Sequence, residues 1–166
     1  MPDRQQLLAI YLNDHLTGSS AGRDLFRRAA AGQKNSRRGP ELARIAREVD
    51  EDREAQLELM RLLGIPVSHP RAIAGRVAET LGRLKRNGTI LRRSPLSDVV
   101  ELEAMRGAVA GKVGGWEALL TIAETEPALP KARVEGLLAR AGNQAERLRL
   151  MHLEAIAAVL GNRRAG

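Results

Sequence analysis

Residues 41–63, ELARIAREVDEDREAQLELMRLL, carry a stripe at three- and four-residue steps, Leu42, Ile45, Val49, Gln56, Leu59 and Leu63. Those same steps place Asp52 in its middle. A helix with one apolar face draws most of its stability from packing that face against other elements. A carboxylate on such a face needs a partner, because burying an unpaired charge is costly. The rest of the chain has to supply both the packing surface and whatever answers Asp52.

Three further stretches repeat the helical pattern. Residues 3–31 read as a first helix with Leu8, Tyr11 or Leu12, His15, Gly22, Phe26 and Ala29 inward, ended at Gly32. The polar loop GQKNSRRG (32–39) is short enough to turn the next helix back antiparallel, and Pro40 suits a first helical position. Gly64 and Pro66 close that second helix. Ser94-Pro95 opens a third, to about residue 124, with Val99, Leu102, Arg106, Val109, Val113, Trp116 and Leu120 inward. After the turn EPALP, residues 131–160 form the fourth, with Val134, Ala141, Ala145, Leu148 and His152 facing in. Small residues recur at Gly18 and Gly22 in the first helix and at Gly107, Gly111 and Gly115 in the third. Each helical glycine costs about 1 kcal/mol relative to alanine, and close approach of these two helices is the expected compensation.

Between the second and third helices lie residues 65–94, too long for a turn. Pro70 starts a short helix to about residue 86, with Ile73, Val77, Leu81 and Leu84 apolar, and Asn87-Gly88 ends it. The expected architecture is an all-α four-helix bundle in one domain, 1–166, whose long crossover carries its own short helix. The crossover also holds the most basic patch, Arg83, Lys85, Arg86, Arg92 and Arg93.

Composition narrows the function classes. With no cysteine, disulfides, thiolate metal sites and thiol catalysis are excluded. No apolar run approaches the ~20 residues of a membrane span, and residues 1–16 lack the plan of a signal peptide, so a cytoplasmic protein with no membrane partner is expected. The formal net charge of +7 raises nucleic acid as a partner. One Trp, one Tyr and one Phe give little for bases to stack on, so aromatics do not support that partner. The chain has no phosphate loop, no dinucleotide fingerprint and no His-Glu-x-x-His helix.

Each helix offers an inward polar candidate: Asp14 or His15, then Glu48 and Asp52, then Glu103 and Arg106, then His152. The expected arrangement is one inter-helix polar cluster of His15, Glu48, Asp52, Glu103, Arg106 and His152, with Arg106 answering Asp52 or Glu103 and the histidines hydrogen-bonded. Four long helices with a middle crossover and a carboxylate or histidine on each resemble the ferritin-like superfamily, whose di-iron members place a Glu on two helices and Glu-x-x-His on the other two. The first helix here has Asp14-His15, and the third has Glu101 and Glu103. In the second, Glu48-x-x-Glu51 and Glu51-x-x-Glu54 lack the histidine. In the fourth, Arg149 stands three residues before His152, and a guanidinium there repels a cation.

The resemblance therefore implies a bundle with an incomplete di-metal site: a non-catalytic interaction or structural protein, self-associating as ferritin-like relatives do, with no cofactor. Its alternative is a metal-binding oxidoreductase or storage protein holding iron or manganese on His15, Asp52, Glu103 and His152. Nucleic-acid binding through the crossover arginines is the third reading.

Overall fold

The computed structural model describes residues 2–68 and 94–161. Among them are four α-helices and no strands: α1 Arg4–Gly32, α2 Gly39–Leu62, α3 Pro95–Ala123 and α4 Lys131–Leu160. The short helix expected at 70–86 and the basic patch Arg83, Lys85, Arg86, Arg92 and Arg93 lie outside the described residues.

Local chemistry sets the helix ends. Asp3 caps α1, its carboxylate accepting from the Gln6 N–H at 2.8 Å while Gln6 Oε1 accepts from the Asp3 N–H at 3.0 Å. Gly64 ends α2 in the left-handed conformation (φ 67°). There its N–H reaches Arg61 O at 3.0 Å and the Ile65 N–H reaches Met60 O at 2.9 Å. Met60 and Ile65 then pack in one apolar cluster, which locks the exit from α2. Beyond it, Asn13 of α1 holds the departing chain, donating to Pro66 O at 3.1 Å and accepting from the Ser68 N–H at 2.7 Å.

The helix directions follow from cross-contacts. His15 lies against Gly115 and Gly22 against Ala108, so α3 runs antiparallel to α1. Arg133 meets Glu58 and Arg147 meets Glu48, so α4 runs antiparallel to α2. With α1 and α2 packed as a hairpin and α3 and α4 as another, α2 and α3 point the same way. The start of α3 therefore sits at the opposite end of the bundle from the end of α2, as a long crossover requires.

The apolar interior is divided in two. Phe26, Leu42, Ile45, Leu102, Met105 and Leu148 belong to one cluster, near the α1–α2 loop. Leu12, Leu59, Met60, Trp116, Leu119 and Val134 belong to the other. Asp52 and Gln144, both buried, fall between them in sequence on α2 and α4 and form a polar layer across the middle of the bundle.

Candidate functional site

Asp52 is 2% exposed and is fully engaged. Its Oδ2 accepts from the Lys112 ammonium of α3 and from Gln144 Nε2 at 3.2 Å; its Oδ1 accepts from Arg140 Nε of α4 at 2.8 Å and also from the second guanidinium arm. Gln144 bridges onward: its Oε1 accepts from Lys112 and its Nε2 donates to Glu48 at 3.0 Å. Arg147 completes the network, Nη1 lying 3.0 and 3.1 Å from the two Glu48 oxygens and Nε 2.6 Å from Glu41.

Burial and pairing compete in this layer. Burial lowers the pKa of Lys112 from the ordinary lysine range, and Asp52 beside it only partly restores the charged form. For Glu48 burial pushes upward, but hydrogen bonds from Arg147 and Gln144, with the charges of Arg147 and Arg44, outweigh it and hold the carboxyl below its usual range.

Asp52 or Glu103 was the partner expected for Arg106, but Asp52 is taken by Lys112, Arg140 and Gln144, and the arginine bonds to His152 instead. Its Nη1 lies 2.7 Å from His152 Nδ1. A guanidinium only donates, so Nδ1 accepts and the ring carries its proton on Nε2. That Nε2 is 3.2 Å from Glu103 Oε1, without the alignment of a hydrogen bond. The six residues expected as one cluster thus fall into three places. Glu48 and Asp52 share the central layer, Glu103, Arg106 and His152 share a groove between α3 and α4, and His15 of α1 lines a cleft that Asp52 also borders, without a bond between the two. The candidate metal set of His15, Asp52, Glu103 and His152 does not converge. Among the described residues no three His, Asp or Glu side chains group as a metal ion requires.

His15 borders a cleft of about 370 Å³ between α1 and α3, whose wall also includes Asp52, Lys112 and Trp116. Its ring stacks obliquely on Tyr11, with centroids 4.5 Å apart. Burial lowers its pKa, and nearby Asp14 opposes this only in part. The glycines line the cleft, and the expected close packing holds at only some of them. Gly22 and Gly115 touch the opposite helix, but a β-carbon at Gly18, Gly107 or Gly111 would meet nothing within 4 Å. Those three face open space between the two helices.

Lys112, Arg140, Gln144 and Arg147 escaped the sequence reading, although a signal was present. Val109, Lys112 and Trp116 follow steps of three and four, as do Ala141, Gln144 and Leu148. Val113 and Ala145 satisfy the same periodicity one position along, and preferring apolar residues hid the polar ones.

Compared with known proteins, the chain matches no family model, no curated protein and no solved structure.

Proposed function

We propose that this chain is a ferritin-like bundle that works by binding and not by catalysis, an interaction or structural protein in which an ion network occupies the place of a metal centre. The observation that carries the reading is the engagement of Asp52: both its oxygens accept from cationic donors, Lys112 and Arg140, at the level where a metalloprotein would leave carboxylates free. The up-down-down-up order of the helices supports the ferritin-like part. His152 is occupied at one ring nitrogen by Arg106, with Glu103 near the other.

Self-association is supported by the surface. Leu96 and Val100 at the start of α3 and Leu153 and Leu160 at the end of α4 are exposed at one end of that antiparallel pair. Exposed apolar side chains grouped in this way favour protein contact. Elemental analysis of protein purified without added metal tests the central claim: iron and manganese should be well below one ion per chain, and stoichiometric occupancy overturns it. Sedimentation over a concentration series tests the oligomer, which a monomer at all concentrations would refute.

A further inference from the structure

The glycine-lined cleft invites a ligand, and its chemistry restricts which one. Gly18, Gly107 and Gly111 weaken their helices relative to alanine, yet no packed neighbour requires any of them. Their common effect is to keep the space between α1 and α3 open. Its volume of about 370 Å³ is in the range of small-molecule sites. Glycine runs alone would be no more than a packing feature, but two donors on α3 give the cleft polarity.

The first is Lys112. Its ammonium has three N–H groups, of which Asp52 and Gln144 take two. The carboxylate of Asp52 is shared with Arg140, which also pairs with Glu51, so it has no further acceptor to offer Lys112 and one ammonium N–H is left over. Burial holds the lysine below its ordinary range despite the carboxylate beside it. The second donor is Trp116, one helical turn along the same face, 3% exposed, whose indole Nε1 is buried with no acceptor. A buried donor without a partner is uncommon in a native fold. Lys112 and Trp116 both line this cleft, and apolar Leu12, Phe26 and Leu119 line it with them.

From this juxtaposition we infer that the cleft binds an apolar monocarboxylic acid of medium chain length, its carboxylate at Lys112 and its hydrocarbon along the wall formed by α1 and the α3 glycines. An alcohol of the same length is a weaker acceptor for the two donors, and an ammonium of that length offers them no acceptor at all. The proposal shares Lys112 with the ion network but does not rest on the ferritin-like reading, which metal content tests and head-group selectivity does not.

The chain's single tryptophan makes the test direct, since Trp116 stands in the wall. Decanoate, 1-decanol and decyltrimethylammonium are titrated against the full-length protein while its fluorescence is followed. Decanoate should give a saturable one-to-one response, decanol should bind at least ten-fold more weakly, and the ammonium should not compete. Lys112→Met should erase the preference of decanoate over decanol. Gly111→Leu, which places a side chain in open space, should abolish the response with the helical circular dichroism intact. If Lys112→Met fails to fold, the head-group comparison and Gly111→Leu still decide. Equal affinity for decanoate and decanol overturns the charged head, and wild-type decanoate binding by Gly111→Leu overturns the cleft as the site. If Gly111→Leu disrupts self-association while the wild type shows no decanoate response, the groove serves a protein partner and the proposal fails.

Discussion

The imidazole of His15 presses so closely on Gly115 that a β-carbon there would stand 2.9 Å from Nδ1. One turn back on α3, Gly111 faces open space. The same substitution should therefore have opposite signs at the two sites. Gly111→Ala should gain about 0.5–1 kcal/mol from helix propensity, whereas Gly115→Ala should lose about 1–3 kcal/mol by overpacking. Urea denaturation of both variants checks this. Adding His15→Ala to Gly115→Ala should recover most of the loss, and no coupling between the two sites would show that the contact is not what constrains Gly115.

Removing one member of the central ion group should cost more than removing its pair. Asp52→Ala strips the buried Lys112 ammonium of its paired carboxylate, while Arg140 keeps Glu51, and should destabilise by about 3–5 kcal/mol. Lys112→Met should cost less, because Arg140 still answers Asp52. The double variant Asp52→Leu with Lys112→Met should lose clearly less than the sum of the single losses, as a double-mutant cycle by chemical denaturation would register.

Acid should weaken the fold in two stages. The lowered pKa of His15 means that the unfolded chain takes up its proton first. This group's contribution is complete above about pH 6.5 and is lost as pH falls through the lower folded value. Glu48 is also lowered, so its contribution is present above the ordinary carboxyl range and disappears as pH drops through its own folded value. Melting temperatures measured from pH 8 down to pH 4 should show the first decline near pH 6, and His15→Gln should flatten that part of the curve only.

Asn13 ties the chain leaving α2 to α1, and its loss should be felt locally. Asn13→Ala removes the acceptor of the Ser68 N–H and a donor to Pro66 O. Because Asn13 is buried, the expected cost is about 1–3 kcal/mol. Amide exchange at Ser68 should accelerate far more than exchange in mid-α2, and uniform acceleration would mean a global effect instead.

The helices were legible because their punctuation is chemical. Ser94-Pro95, Gly64 with Pro66, and the turn before Lys131 mark ends that the structure places within about two residues. Asp52 was legible as a buried carboxylate for the same reason that Val49 and Leu59 were legible as core. Its partners were not. Periodicity states which face of a helix a residue occupies but not which residue of another helix lies opposite, and Lys112 and Arg140 are 60 and 88 positions away. The cleft was hidden for a different reason: a glycine run is equally compatible with contact and with a gap, and only the separation of α1 and α3 distinguishes them.

The connections between α2 and α4 join residues 75 or more positions apart and run through long polar side chains, whereas the α1–α2 and α3–α4 pairs join neighbours in the chain. Loop closure disfavours distant pairings until nearer ones have formed. The two hairpins should therefore be assembled before the seam between α2 and α4 closes, making that seam the last part of the molecule to fold. Stopped-flow kinetics on Asp52→Asn should then show faster unfolding with a nearly unchanged folding rate. On this view the central ion group governs how long the bundle stays shut more than how quickly it forms.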